Sequence, residues 1–407
     1  MKENYDVVVV GGGPAGSTAA NELAMQGLSV MLLDRAGRIK PCGGAVPPQM
    51  LKDFAVPRNV LEAEVSSARM VSPSDNAVDM PIESGYVGMV DRGEFDEWLR
   101  VRAESSGATR ETGTFLGFGE SNDKVREVHF MRGAKNELNA GSDEQCCTVT
   151  ARYIIGADGA KSKVGKAAIP GAEKLQSVFA YHEIVEAPTE PNPAIDIKRC
   201  DVVYNGKLSP DFYSWVFPHG KTISVGTGTA VQGFGIRAAV TTLREQTGLD
   251  KAVTIRTEGA PIPMKPLKLW DDGKHVVLAG DAAGVVAPAS GEGIFYAMTC
   301  GRMVAETVAE AIEINDAKVL KKARKRFMKA HGKVFWVLGI MQRFWYHSDK
   351  RRERFVTMCA DPDVQRLTWE SYLNKRLVRK DPMAHLRIFI KDMGHLLGIV
   401  SEKRKTS

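Results

Sequence analysis

The chain has 407 residues, 43% hydrophobic and 26% charged, enough for two or three compact lobes with sizeable cores. Its six cysteines, at 42, 146, 147, 200, 300 and 359, form no CxxC pair, which argues against a zinc ribbon or redox dithiol and fits a reduced, intracellular protein. The net charge of +6 is uneven: residues 317–407 hold 23 Lys and Arg against 8 Asp and Glu, and the remainder 32 against 41.

The opening MKENYDVVVVGGG has an apolar run too short, and too soon followed by glycines, for a signal peptide. Tyr5 to Val10 predicts a buried parallel strand. Gly11, Gly12, Gly13, Pro14, Ala15 and Gly16 follow, then a predicted helix from Ser17 to Gln26 that Gly27 ends. Leu28 to Leu33 predicts a second strand with Asp34 at its end, completing a βαβ unit. From about Ser66 to Met89, and again from about Val178 to Pro263, short alternating segments such as Thr222 to Val225 and Val253 to Arg256 predict a mostly antiparallel sheet. Arg152 to Ile155 and His275 to Leu278 predict further strands of the first lobe, each leading into a glycine–aspartate turn. After Gly293 the pattern is helical nearly to the end. Lys318 to Val334 predicts a basic amphipathic helix with Leu320, Ala323, Phe327, Ala330 and Val334 on its inner side. The longest apolar run near the C-terminus, Val334 to Met341, covers eight residues, far short of the roughly 18 that a membrane span needs.

Gly11, Gly13 and Gly16 form GxGxxG between a predicted strand and helix. The first glycine permits the tight turn, the second lets backbone approach a pyrophosphate, and the third lets helix and strand pack closely. Asp34, 18 residues past Gly16, suits a ribose hydroxyl, and its charge disfavours a 2′-phosphate, so the site is set for FAD or NAD. The turns Ile155-Gly156-Ala157-Asp158-Gly159 and Leu278-Ala279-Gly280-Asp281-Ala282-Ala283-Gly284 each add a carboxylate. Gly291-Glu292-Gly293 precedes a helix whose N-terminus suits a flavin ring oxygen. Together with the βαβ unit these elements favour FAD. Taken singly, the two turns also read as ordinary turns with capping aspartates.

Tyr213-Ser214-Trp215-Val216-Phe217-Pro218, then seven residues and Gly226-Thr227-Gly228, matches YxWxFP followed by GxG. Pro41-Cys42-Gly43-Gly44-Ala45 forms a cysteine–glycine element, and Asp91-Arg92 stands before Phe95-Asp96 and Leu99. Asp363 to Thr368 and Ser371-Tyr372-Leu373 extend the match toward the C-terminus. In these motifs the chain resembles the geranylgeranyl reductase family, in its chlorophyll and bacteriochlorophyll branch, on the p-hydroxybenzoate hydroxylase-like FAD fold.

The resemblance implies an α/β (α+β) architecture: a Rossmann-type FAD-binding domain, an antiparallel-sheet substrate domain and a helical C-terminal region. The expected division is 1–65 with 90–177 and 270–315 for FAD, 66–89 with 178–269 for the substrate sheet, and 316–407 for the basic helices. Expected at the cofactor are Gly11, Gly13, Pro14, Ala15, Gly16, Asp34, Arg35, Cys42, Gly43, Gly44, Arg92, Asp158, Gly280, Asp281, Gly291 and Gly293. Expected at the substrate are Tyr213, Trp215, Phe217, Pro218, Gly226 and Gly228, with ordinary sheet core the alternative for Phe217.

The implied reaction saturates carbon–carbon double bonds of a geranylgeranyl chain, carried by (bacterio)chlorophyll or by diphosphate. These isolated alkenes offer no enolate, so hydride from reduced flavin must be coupled to a proton, with tertiary carbocation character in between. Tyr213 and Trp215 present π faces for that positive charge, worth about 0.5–2 kcal/mol. A tyrosine hydroxyl or the Cys42 thiol is the candidate proton donor; the alternative for Cys42 is a small residue packed under the flavin. NADPH is the electron donor the resemblance implies, bound transiently because no second GxGxxG exists, and ferredoxin serves related reductases. The eight histidines show no metal spacing such as HExxH, so no metal is expected, and no nucleic-acid motif accompanies the charge. The basic C-terminal region, including Lys321, Lys322, Arg324 and Lys325, suits peripheral contact with an anionic membrane; a solvated helical face is the alternative.

Two other functions compete. An FAD monooxygenase on the same fold leaves YxWxFP and Cys42-Gly43-Gly44 unexplained. A prenyl-binding escort protein without redox chemistry leaves the intact glycine fingerprint, Asp34 and the Gly280-Asp281 turn unexplained.

Overall fold

Val7–Val10 and Val30–Leu33 are buried along their whole length, as central strands covered on both faces must be. The computed structural model describes residues 3–35, 39–40, 42–133, 145–190 and 192–375; Pro41 and the basic segment 376–407 lie outside the described residues. The first third contains β1 (Asn4–Val10), α1 (Pro14–Ala24), β2 (Val30–Asp34), β3 (Ala45–Val46), α2 (Pro48–Asp53), β4 (Ala63–Val65), β5 (Ser67–Val71), β6 (Ala77–Pro81), β7 (Val87–Met89) and α3 (Arg92–Ser105). The middle contains β8 (Thr109–Ser121), β9 (Arg126–Arg132), β10 (Gln145–Gly156), α4 (Lys163–Ala168), β11 (Ser177–Glu186), β12 (Arg199–Val203), β13 (Ser214–His219), β14 (Thr222–Thr229), α5 (Ile236–Gln246), β15 (Thr254–Pro263) and β16 (Val276–Leu278). Helices follow: α6 (Ile294–Glu313), α7 (Lys322–Trp345), α8 (Asp349–Met358) and α9 (Pro362–Asn374).

The expected fold class is the one found. β8, β2, β1, β10 and β16 lie side by side in parallel, with Val7 opposite both Val30 and Tyr153 and Ile154 opposite Val276. β9 bridges β8 and the first half of β10 in antiparallel fashion. The second sheet runs β15-β11-β14-β13-β12-β5-β6, antiparallel except for the β12–β5 pair. A small sheet β3-β7-β4 accompanies them. α1 packs on α6 and α3, while α5 packs on β14 and β11.

Several predicted boundaries move. α1 begins at Pro14, not Ser17, because proline has a preset φ and needs no N–H in a first turn. β10 extends back to Gln145, since its first half pairs with β9 and only its second half with β1. The basic helix opens as a 3-10 turn over Ala317–Lys321 and continues as α7 to Trp345, so the apolar run Val334 to Met341 lies inside it. Its buried ridge is Leu320, Ala323, Phe327, His331 and Phe335; Ala330, expected inside, is exposed. No described helix is long and apolar enough to cross a membrane.

Candidate functional site

One cavity of about 390 Å³ lies where the ends of β1, β2 and β10 meet the β11–β15 sheet. β1 turns into α1 through Gly11, whose φ is +108° and where a methyl would sit 2.6 Å from the carbonyl carbon of Ala157. Only glycine serves there. Gly13 has no heavy atom near its missing Cβ, and Gly13, Pro14 and Ala15 form cavity wall. α1 starts at that wall with no side chain capping it, which leaves its first N–H groups for an anion. Gly16 lies behind the wall, and a side chain there would meet the carbonyl oxygen of Gly11. Such a cradle fits a dinucleotide pyrophosphate.

Asp34, Arg92, Asp96 and Arg100 line the same side. Arg100 donates to Asp34 at 3.3 Å and to the Gly12 carbonyl at 3.2 Å. Burial raises the Asp34 pKa, opposed by the Gly12 N–H and the Arg100 charge. Arg35 stands exposed at the rim. Arg92 is buried and donates to both oxygens of Asp96, at 2.8 and 2.7 Å. Burial works against its charge, but the Asp96 carboxylate outweighs that, and the Cys42 sulfur acts in the same direction. The sequence reading missed Arg100, although the four-residue spacing 92, 96, 100 on one helix was a usable signal.

The two aspartate turns differ. Asp158 accepts from Ser162 Oγ and from the backbone N–H of Lys163 (2.6 Å) and Val164 (3.2 Å), so its carboxylate caps α4 while its turn lines the cavity. Asp281 points to the cavity and pairs with Lys40, which spacing alone did not single out. Gly280 packs behind it: a methyl there would lie 2.6 Å from Ala15 Cβ. Gly291 and Gly293 are cavity wall, and α6 begins beside them without a side-chain cap.

The opposite wall is aromatic. Tyr213, Trp215 and Phe217 share one face because alternate residues of a strand do. The rings of Phe212 and Tyr213 stack at 4.3 Å, and those of Tyr213 and Trp215 meet edge to face at 6.1 Å. The Tyr213 hydroxyl donates to the Ser290 carbonyl at 2.6 Å, and burial pushes its pKa up, so it is a neutral phenol. Cys42 and Gly43 also line the cavity, with the Gly44 N–H donating to Cys42 Sγ at 3.4 Å. A methyl on Gly43 would lie 2.8 Å from the Phe217 ring. Pro218 is buried in β13, and Gly44 packs on His219 and Val90. Gly226 lies directly beneath Trp215 and His182, and Gly228 beneath Phe212. Those four support the wall and do not line it.

Behind Trp215 runs a polar chain that no spacing in the sequence betrays. The indole N–H donates to Ser224 Oγ at 3.0 Å, Ser224 meets His182 Nδ1 at 2.8 Å, and His182 Nε2 pairs with Glu258. Arg256 donates to Glu258 at 2.7 Å and pairs with Asp91. A carboxylate only accepts, so Nε2 carries hydrogen, and Ser224 Oγ accepts from the indole N–H. Ser224 is fully buried, so it orients and does not attack. His219 is held neutral, its pKa pushed down by burial to about 4.

The loop 287–293 ties this site to the C-terminal helices. Tyr346 donates to the Ala289 carbonyl at 3.1 Å, and Ala289 N–H donates to Gln342 at 3.4 Å. Glu292 pairs with buried Lys375, whose ammonium sits 3.9 Å over the Tyr372 ring.

The family model described as FAD binding domain matches residues 4–326. Geranylgeranyl diphosphate reductase of Rhodobacter capsulatus is 53% identical over 396 residues, covering 97% of this chain and 98% of that one. The chloroplastic geranylgeranyl diphosphate reductase of Oryza sativa subsp. japonica is 36% identical over 413 residues, covering 98% and 88%. Among solved structures, a geranylgeranyl bacteriochlorophyll reductase-like protein from Thermoplasma acidophilum superposes with a TM-score of 0.78 at 23% identity, covering 94% of this chain and 99% of that one. A flavin-dependent brominase superposes with a TM-score of 0.72 at 16% identity, covering 97% and 100%. At such identities these two structures speak for the fold.

Proposed function

This chain belongs to the geranylgeranyl reductase family and carries its FAD binding domain, and from that premise we infer that it is an FAD-dependent reductase saturating the double bonds of a geranylgeranyl chain to phytyl in (bacterio)chlorophyll biosynthesis. The observation that carries the reading is one cavity with a glycine cradle on one side and Tyr213, Trp215, Phe217 and Cys42 on the other. The substrate is geranylgeranyl-(bacterio)chlorophyll or geranylgeranyl diphosphate, and NADPH is the transient electron donor.

FAD, when bound, supplies the hydride. Gly11, Gly13, Pro14 and Ala15 would hold its pyrophosphate, with Gly16 and Gly280 allowing the close packing behind. Asp34, steadied by Arg100, would accept from a ribose hydroxyl, with Arg35 at the rim. Arg92, Gly43, Gly291, Gly293 and the turns of Asp158 and Asp281 would enclose the rest, with Gly44 supporting that wall from behind. Tyr213 and Trp215 turn π faces to the positive charge that builds on the alkene, and Phe217 shields it from water. Pro218, Gly226 and Gly228 set that wall. The Cys42 thiol gives the proton; Tyr213 is a poorer donor because its hydrogen is engaged by Ser290. In this division residues 1–65, 90–177 and 270–315 serve FAD, residues 66–89 and 178–269 serve the substrate, and residues 316–407 make a peripheral membrane contact from the cytoplasmic side.

The test is anaerobic incubation of the FAD-loaded protein with NADPH and, separately, the pigment ester and the diphosphate. Products should gain successive pairs of hydrogens. Oxygen incorporation in air with no such gain would make the protein a monooxygenase, and failure to take up FAD would leave a lipid carrier.

A further inference from the structure

Over its 24 residues α7 carries seven Lys and Arg and no acidic residue. Its inner ridge, Ala323, Phe327, His331 and Phe335, is buried in an aromatic cluster with Phe295 and Tyr296. The outer face has a different order. Lys325, Lys329 and Lys333 stand exposed at four-residue intervals, with no ion-pair partner among the described residues. One turn further along come Trp336, Val337 and Ile340, exposed by 69%, 37% and 49%, and then exposed Arg343. Three large apolar side chains within one turn, a tryptophan among them, are costly to leave in water.

The apolar end of this face adjoins the active-site loop. Gly339 lies against Pro288, and Gln342 accepts from Ala289 N–H at 3.4 Å. The next residue, Ser290, accepts the Tyr213 hydroxyl at 2.6 Å. One short loop therefore separates the exposed patch from the aromatic wall.

We propose that this face of α7 is a lipid-docking surface: Lys325, Lys329 and Lys333 meet anionic headgroups, and Trp336, Val337 and Ile340 enter the acyl boundary. Cations leading into an aromatic–aliphatic patch are the composition of an interfacial helix. Three exposed lysines favour an anionic surface over an apolar protein groove, because burying them in such a groove would cost their hydration without supplying a counter-charge. Docked this way, α7 holds the active-site loop next to the bilayer, with Pro288 and Ala289 buried against the helix and Ser290 exposed beside it. The inference rests on a membrane-resident geranylgeranyl substrate and localises the contact. Of the cations expected to make it, Lys322 pairs with Glu310 and Arg324 donates to the Leu267 carbonyl, so both are engaged within the protein.

The experiment uses the FAD-loaded full chain with vesicles of phosphatidylcholine, alone or mixed with phosphatidylglycerol. The protein should float with the mixed vesicles and much less with neutral ones. The triple variant Lys325→Gln, Lys329→Gln, Lys333→Gln should lose affinity by on the order of 100-fold, and Trp336→Ser with Val337→Ser and Ile340→Ser by on the order of 10-fold or more. Both variants should keep their flavin and turn over detergent-dispersed substrate at the parent rate. Equal flotation with neutral vesicles, or variants that float like the parent, would overturn the proposal. So would sedimentation showing that the apolar variant dissociates a dimer, since the patch would then face a second copy. If no variant, nor the parent, reduces dispersed substrate, the functional reading fails while the flotation result stands.

Discussion

Gly226→Ala is the sharpest probe of the aromatic wall. A methyl at this position would lie 2.6 Å from Trp215 Cε2 on one side and 2.6 Å from His182 Cβ on the other. Ordinary carbon contacts begin near 3.4 Å, so the indole must retreat by about 1 Å. It cannot do so freely, because its N–H is held by Ser224 and its edge by Tyr213. Overpacking of this kind costs about 1–3 kcal/mol, and a displacement of about 1 Å at a reacting centre lowers turnover on the order of 100-fold. Flavin content, read from visible absorbance, should be unchanged, because the glycine cradle is elsewhere. Gly117→Ala is the control, since nothing lies within 4 Å of its missing Cβ. Thermal unfolding and product masses should separate the two variants. If Gly226→Ala matches Gly117→Ala in both, the packing argument is wrong; if only the unfolding midpoint falls, Trp215 does not border the substrate.

Cys42→Ala should lower turnover on the order of 100-fold with flavin content intact; a rate within about twofold of the parent would remove the thiol from the chemistry. Lys375→Met leaves Glu292 buried without its counter-charge and should cost about 3–5 kcal/mol. Adding Glu292→Gln should restore most of that loss in thermal unfolding, and an equal loss in both variants would deny the coupling. Burial, aided by the Lys375 charge, depresses His331 to about 4 from an ordinary 6.5. The unfolded chain therefore takes up this proton first, and stability is lost as pH falls from 6.5 toward 4. The contribution between pH 7 and 5 is on the order of 1–2 kcal/mol. His331→Phe should flatten the urea midpoint over that range relative to the parent, and parallel pH profiles would refute the assignment.

The parts legible in the sequence were those whose physics is local. The turn Gly11–Gly16 and the strands around it declare themselves because backbone, pyrophosphate and helix must approach closely within six residues. Tyr213, Trp215 and Phe217 alternate along one strand, so their shared face was readable. Contacts between distant segments were not. Lys40 meets Asp281 across more than half of the chain, and Ser224, His182 and Glu258 lie on three strands that only the sheet brings together. Asp158 carries the same glycine–aspartate signal as Asp281 but spends its carboxylate on α4, a distinction set by the residues after the turn. Gly226 and Gly228 belong to the recognised motif for the room they leave to Trp215 and Phe212, so motif membership and cavity lining part company there.

The glycine contacts behind the cofactor cradle also bear on biosynthesis. Gly11 is closed off by Ala157, and Ala15 is gripped by Gly280 and by Gly301 on α6. In a nascent chain the fingerprint emerges early, yet the grip is incomplete until Gly301, about 290 residues later, has followed it. Pairings so far apart in sequence close late, because the loop entropy falls due before the contacts repay it. Until then Val7–Val10 and Val30–Leu33 lack part of their cover, a period in which chaperones have apolar strand to shield and free FAD has little to hold.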